Sequence, residues 1–405
     1  MSILEKLLEG VDVQMRTVGE YIDYLQPTNY LVRTKNYHPT FSTPVLTAGK
    51  TFILGYTSED TGIYEASKSP VIIFDDFTTA NKWVDFDFKA KSSAMKILLP
   101  IDDSIISLKY FYYWLNSLPI DSSDGDHKRQ WISNFSLKKM PIPCPENPEK
   151  SLEIQREIVR ILDELTEKNT AIISELSKEI ELRKKQYEHY RDKLLDFNEI
   201  GGGKWFKMSD LGKIIRGNGL PKSDFAETGI PAIHYGQIYT YYNTVAYSTK
   251  SFVSAETAEK LQKVNYGDVI ITNTSENLDD VGKSLLYLGE EQAVTGGHAS
   301  IFKPSELILG KYFVYYTQTI HFYNEKKRYA KGIKVIDVSA KDMEKILIFV
   351  PELAKQTRIV KLLDEYDLAN KTIIEELTKE IKLRKTEYEY YRDLLLDFHD
   401  QKVSA

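Results

Sequence analysis

The chain has little of what marks an enzyme, a secreted scaffold or a membrane protein. One cysteine, Cys144, stands among 405 residues, which excludes an internal disulfide framework and a cysteine-built zinc site. No apolar run approaches the roughly 20 residues that cross a bilayer. Residues 1–10 (MSILEKLLEG) lack a signal-peptide core, so a soluble, cytoplasmic protein is expected. An excess of basic charge is also missing. Lys and Arg number 53 against 59 Asp and Glu, a formal net charge of −6, the wrong sign for a protein that coats nucleic acid. There is no G-x-x-x-x-G-K-[ST] phosphate loop, no H-E-x-x-H, and no Asn/Asp-Pro-Pro-aromatic tetrapeptide. The seven histidines show no paired ligand spacing. The acid pairs Asp75-Asp76, Asp102-Asp103 and Asp279-Asp280 read as solvated turn acids, because adjacent strand side chains point to opposite faces. No catalytic residue and no metal site are expected.

What is present is duplication. Residues 155–197 read QREIVRILDELTEKNTAIISELSKEIELRKKQYEHYRDKLLDF, and residues 356–398 read QTRIVKLLDEYDLANKTIIEELTKEIKLRKTEYEYYRDLLLDF. At a shift of 201, 26 of these 43 positions are identical, so the repeat divides the chain almost in half. Both segments lack Pro and Gly and are rich in Leu, Glu, Lys and Ile, which suits helices. About 45 residues at ~1.5 Å each give ~65–70 Å, far beyond an ordinary globular helix. Leu162, Leu165, Asn169, Ile172 and Leu176 fall on heptad a/d spacing, as do Leu363, Asn370, Ile373 and Leu377. The stripe then drifts one position, to Ile180, Tyr187 and Leu194 and to Ile381, Tyr388 and Leu395, as a straight helix drifts from a seven-residue repeat. Such a stripe has to be buried, and the simplest partner is the other copy. Asn169 and Asn370 share one seam position, where a polar residue either fixes register or is tolerated near a solvated edge. The charge runs at 182–185 and 383–385 read as solvated helix faces.

Two larger blocks alternate with these helices. The division is residues 1–150, a helix over 151–200, residues 201–351, and a helix over 352–405. The blocks share faint frames. Val13 to Gly19 resembles Phe206 to Gly212, and each block closes on an apolar run ending in proline, at 140–145 and 346–351. Strands are expected at 71–74, 94–98, 269–272 and 285–288, and helices over 109–118 and 310–324. Gly201, Gly202 and Gly203 read as a helix cap and flexible joint.

Charge is unevenly spread. Residues 201–350 carry 18 basic and 16 acidic side chains, the one region with a basic balance. Its densest stretch holds Lys326, Lys327, Arg328, Lys331 and Lys334, interleaved with Phe322, Tyr323 and Tyr329, as in a segment that grips a phosphate backbone. Asn273, Thr274, Ser275 and Lys283 sit on strand-joining loops, suited to reading base edges. The first block has weaker counterparts in Lys128, Arg129, Lys82, Lys89, Lys91 and Ser92. Ordinary exposed loops are the competing reading for each of them.

The layout resembles the specificity subunits of type I restriction-modification systems over nearly the whole chain. The carrying features are the duplicated Q-x-x-I-V-x-x-L-D-E helix ending in L-R-K…Y-E-x-Y-R-D-x-L-L-D-F, the proline ahead of it, and blocks opening near Gly19 and Gly212. The resemblance implies an α+β chain with a pseudo-twofold internal repeat. It would have two globular target-recognition domains of mixed α/β structure, separated by two long helices in an antiparallel coiled coil. Each domain would read one half of an asymmetric, interrupted DNA site, with the coil setting the gap. The chain would be non-catalytic and hold no cofactor. It would dock two methyltransferase subunits and, in the full complex, restriction subunits, which bring S-adenosylmethionine, ATP and Mg²⁺ chemistry. The alternative is a coiled-coil protein-interaction scaffold without DNA specificity.

Overall fold

A computed structural model describes residues 10–49, 51–119, 129–398 and 403–404. The chain forms two compact units, Met1–Leu176 with Thr378–Ala405, and Ser177–Leu377. Each therefore contains one block, one end of the first long helix and one end of the second. No helix among the described residues is long and apolar enough to cross a membrane.

Each block opens and closes on one pair of strands. Val13–Thr17 runs antiparallel to Lys139–Pro143, with Val13 opposite Pro143. Gly203–Lys207 runs antiparallel to Leu347–Pro351, with Gly203 opposite Pro351. Gly203 is thus held in a strand, and the joint it was expected to form is confined to Gly201 and Gly202, both at positive φ. The closing strands lie at sheet edges, which is where their prolines are tolerated. This register corrects the match of Gly19 with Gly212. Val18 and Met208 hold equivalent places, both buried, donating their amides to the carbonyls of Lys138 and Ile346 just ahead of the closing strand. Gly212 starts the next strand, opposite Pro304, where the first block has Ile22 opposite Pro100. A Cβ at Gly212 would lie 2.2 Å from the Lys303 carbonyl oxygen, so this close approach requires glycine.

Between the frames the sequences share little, yet the sheets agree. The larger sheet of the first block orders Ile22–Leu25, Met95–Pro100, Val71–Asp75 and Asn81–Val84. That of the second orders Gly212–Arg216, Ala299–Pro304, Val269–Thr272 and Ser284–Tyr287, with Val245–Ala246 added at the edge. The apolar runs at 71–74 and 269–271 are fully buried, which explains their lack of alternation. A smaller sheet of Ile53–Thr57, Thr43–Leu46 and Lys89–Ala90 accompanies the first, and its counterpart is built around Ile230–Ile233. The helix expected over 109–118 runs Leu108–Ser117. The one expected over 310–324 is two, Gly310–Tyr316 and Ile320–Lys327. Thr317 and Thr319 divide it. Their hydroxyls donate back to the Val314 and Tyr316 carbonyls, and the Thr319 oxygen accepts the Phe322 amide to begin a new helix.

The same latch fastens each block to its own stretch of long helix. It is carried by a short repeat, Lys109-Tyr110-Phe111-x-Tyr113 and Lys311-Tyr312-Phe313-x-Tyr315. Lys109 and Tyr113 meet Asp163 at 2.8 and 2.5 Å, and Lys311 and Tyr315 meet Asp364 at 2.8 and 2.6 Å. Tyr110 donates to the Pro141 carbonyl and Tyr312 to that of Phe349. Gln155, wholly buried, accepts the Ser107 amide and donates to the Ile105 carbonyl and the Ser151 hydroxyl. Gln356, equally buried, accepts the Leu309 amide and donates to the Leu307 and Pro351 carbonyls. The Gln and Asp of Q-x-x-I-V-x-x-L-D are therefore receptors for the block.

The first long helix spans Pro148–Leu194, with proline in its first position and the Asn147 side chain accepting the Lys150 amide. The second spans Leu353–Asp397. Their antiparallel pairing is seen in each unit. In the first, Thr166 donates to the Tyr388 hydroxyl at 3.0 Å, and Leu162 shares a core with Leu395, Leu396 and Phe398. In the second, Tyr187 stacks on Tyr366 with ring centroids 5.7 Å apart, and Leu195 shares a core with Ile359 and Leu363. Leu162 and Leu363 are fully buried and Asn370 nearly so. Leu165, Asn169, Leu176 and Leu377 are half-buried. Two seam positions are corrected: Ile172 and Ile373 are each 37% exposed, and the half-buried residues are Ile173 and Ile374. The stripe takes a four-residue step after each asparagine, because an α-helix of about 3.6 residues per turn outruns a heptad sooner than the apolar letters suggest.

Gln155→Leu and Gln356→Leu preserve most of the volume but strand buried backbone groups. Each is expected to destabilise its own unit by about 2–4 kcal/mol, read as a shift in that unit's urea transition. Arg160→Ala, which removes exposed pairs with Glu157 and Glu164, is expected to shift it by less than about 1 kcal/mol.

Candidate nucleic-acid interface

The cationic stretch of the second block folds into a helix end and a hairpin. Lys326 and Lys327 close the helix Ile320–Lys327. Residues 331–337 then double back, with the Lys331 and Asp337 amides donating to each other's carbonyls at 3.0 and 2.8 Å. Ile336–Asp337 pairs in turn with Thr274–Ser275, making a short ribbon. Asp342 braces it, taking Lys345 at 2.8 Å, Lys331 at 3.1 Å and the Ser339 hydroxyl at 2.9 Å. Lys345 first, then Lys331 and Ser339, hold its carboxyl well below the usual range.

Beside the ribbon lie His298, Tyr235 and Tyr239, to which the sequence drew no attention. His298, exposed after Gly296 and Gly297, sets Nδ1 2.9 Å from the Thr274 hydroxyl. The Tyr235 ring stands 4.9 Å from the His298 ring. Tyr239 donates to the Thr274 carbonyl at 2.5 Å, and burial pushes its phenol up to about 12. The Lys283 ammonium lies 6.0 Å from the centre of the Tyr239 ring. The two glycines have a packing reason: a Cβ at Gly296 would meet Leu220 Cβ at 2.3 Å, and one at Gly297 the Asn218 backbone at 3.1 Å. That Gly-Gly-His run was the one signal available for this loop. Together with the half-buried Ser275 and the exposed Lys327, Arg328, Lys331 and Lys334, the set offers cations for phosphates and hydroxyl, imidazole and ring edges for bases.

Four expected contacts are buried and serve the fold. Asn273 is fully buried; its side chain donates to the Val338 carbonyl and accepts the Ser300 hydroxyl, at 2.9 and 2.8 Å. Its first-block equivalent is Asp76, whose Oδ1 accepts the Trp131 amide and whose Oδ2 lies 3.6 Å from Lys96. An amide–hydroxyl pair thus occupies in one block the place of a buried ion pair in the other. Asp76 is therefore not a solvated turn acid; Asp75 is, accepting the Phe77 and Thr78 amides. Thr274 is largely covered and engaged with His298. Lys326 is 4% exposed and donates to the Asp279 and Val281 carbonyls at 2.9 and 2.6 Å; burial pulls its pKa down to about 8. Lys89 is 1% exposed, 3.2 Å from Glu59 and donating to the Thr61 and Gly62 carbonyls. Ammonium groups committed in this way cannot reach a phosphate.

The first block is sparser. Lys91 and Ser92 occupy the loop before Met95–Pro100, the place held by the Gly-Gly-His loop in the second block. There Lys91 donates to the Tyr37 hydroxyl at 3.2 Å. Lys82 is exposed on the edge strand Asn81–Val84, and Arg129 is exposed just ahead of the helix Gln130–Ser133. Lys128 lies outside the described residues.

The chain is similar to known proteins over nearly its whole length. The profile of the type I restriction modification DNA specificity domain matches twice, at residues 13–182 and 202–383. A type I restriction enzyme specificity subunit of Escherichia coli is 49% identical over 408 residues, covering 98% of this chain and 97% of that protein. Another E. coli specificity subunit is 37% identical over 119 residues, 27% of this chain and 28% of its own. Among solved structures, a chain from a study of complex assembly and conformational transition of the type I R-M system superposes with a TM-score of 0.70 at 16% identity, covering 95% of this chain and 97% of that one. That last likeness is one of fold.

Lys326 provides a pH test. Its proton is held more weakly in the folded chain, at about 8, than at the ordinary 10.5. Between those values the unfolded state binds more protons, so stability rises with pH across that window. Below it the buried ammonium costs the fold about 3 kcal/mol. Relative to Lys326→Met, the parent chain is expected to gain about 2 kcal/mol between pH 7.5 and pH 9.5 in urea unfolding. A flat difference would remove Lys326 as the titrating group.

Proposed function

The chain belongs to the type I restriction-modification DNA specificity family, and we propose that each block reads one half of an interrupted DNA site while the paired helices set the gap. Sequence-specific DNA recognition is its task, and a scaffold without DNA specificity is not favoured, since both blocks match the specificity domain. The observation that supports the division of labour is the contrast within the repeat. Sheet order and latch are the same in both blocks, whereas the surface residues above them differ. A constant frame under two unlike surfaces suits two unlike half-sites. Antiparallel repetition also suits two readers addressing opposite strands, as dimeric binders do.

In this reading the chain is the non-catalytic partner in a cytoplasmic complex. Two methyltransferase subunits dock along it and bring S-adenosylmethionine, flipping the target adenine out of the stack. Restriction subunits, where they join, bring ATP and Mg²⁺ chemistry. The net charge of −6 fits a protein whose partners supply much of the phosphate neutralisation.

Replacing residues 203–351 with the same block of another family member is expected to change one half of the methylated sequence and leave the other intact, as mapped by adenine methylation in cells. Deleting seven residues in register from each long helix is expected to change the tolerated gap while sparing both halves. Half-sites that change on shortening the helices would refute the assignment of base reading to the blocks.

A further inference from the structure

The hairpin beyond Lys331 ends in a feature that phosphate binding leaves unexplained. Ile333 is 97% exposed, more than any other large apolar side chain among the described residues, and Val335 is 58% exposed. An isoleucine left in water forgoes the free energy its burial would contribute. The tip that carries it is firmly built. Gly332 has φ +107°, and a Cβ there would lie 1.9 Å from the Val335 carbonyl oxygen, so only glycine lets the turn close. Beneath it are the reciprocal Lys331 and Asp337 hydrogen bonds, the pairing with Thr274–Ser275, and the Lys331–Asp342 ion pair. Lys334, exposed between the two apolar residues, has no ion pair among the described residues, and Lys327 and Arg328 lie a few residues ahead.

Resting on the reading of the second block as a half-site reader, we propose that Ile333 enters a groove of the duplex and makes apolar contact with stacked bases, flanked by lysine contacts to phosphate. A protein partner is the poorer match. Protein interface cores are depleted in lysine, and seating Ile333 against one would bury Lys334 as well. A DNA groove has the complementary arrangement, an apolar floor of base edges and thymine methyls between two anionic walls. Aliphatic side chains that touch the thymine methyl make this kind of contact without unstacking the bases.

The test uses the full chain assembled with its methyltransferase subunits, binding the cognate duplex and a duplex with the second half-site scrambled, across a salt series. Ile333→Ala is expected to weaken cognate binding roughly tenfold. Affinity for the scrambled duplex and the slope of log affinity against log salt should not change, since no phosphate contact is lost. Lys334→Ala is expected to weaken both duplexes and to reduce that slope by about one. Ile333→Val, which keeps an aliphatic tip, should retain most of the affinity. The proposal is overturned if Ile333→Ala binds cognate DNA like the parent, or if it impairs only assembly with the methyltransferase, which would place the tip against protein. If scrambling the half-site also makes no difference, the half-site reading itself fails. If scrambling matters and Ile333→Ala does not, only the apolar contact is lost.

Discussion

A buried glutamine and a neighbouring aspartate on each long helix are what the rest of the molecule is hung on. Gln155 and Gln356 are fully buried, and each satisfies the loop that leads into the helix bearing the Lys-Tyr-Phe motif. About two turns further on, Asp163 takes Lys109 and Tyr113, and Asp364 takes Lys311 and Tyr315. Such networks are directional. A hydrophobic seam tolerates sliding, but an amide that must meet one N–H and two oxygens does so in one orientation. The block is therefore oriented with respect to its helix by hydrogen bonds, and held there by the apolar cores of Ile158 and Leu162 and of Ile359 and Leu363.

A second constraint lies deeper, where each central strand meets the segment before the closing strand. Asp76 with Lys96 and Asn273 with Ser300 are two chemical solutions to one geometric problem. Each keeps a strand end rigid beneath a loop that reaches the surface. The ionic version carries a desolvation cost, seen in the lowered pKa of Lys96, and the neutral one avoids it. Rigid strand ends matter to a reader of base edges, since hydrogen-bond discrimination between base pairs requires donors and acceptors that stay in place.

Charge acquires its meaning from this burial. The second block looked like the cationic half because of a run of lysines, yet Lys326 commits its ammonium to two buried carbonyls. What remains for DNA is a smaller set arranged around a hairpin and the Tyr235, Tyr239 and His298 cluster. A count of basic residues cannot separate ammonium groups that stabilise a turn from those that face solvent.

The sequence by itself determined the architecture: the 201-residue shift, the uninterrupted helical stretches and the apolar runs at 71–74 and 269–271 give two blocks, two long helices and their central strands. These are local or periodic signals, written in consecutive letters. Only the tertiary structure decided that the divergent blocks share one sheet order, because equivalent strands need only be apolar and need not match. Only it moved the seam from Ile172 to Ile173, since two adjacent isoleucines leave the choice to helix geometry. It also withdrew Asn273, Lys89 and Lys326 from the surface and put Tyr235, His298 and Ile333 forward. Residue type sets what a side chain can bond to, but burial decides whether water, a carbonyl or a base is within reach, and burial is a property of contacts made far along the chain.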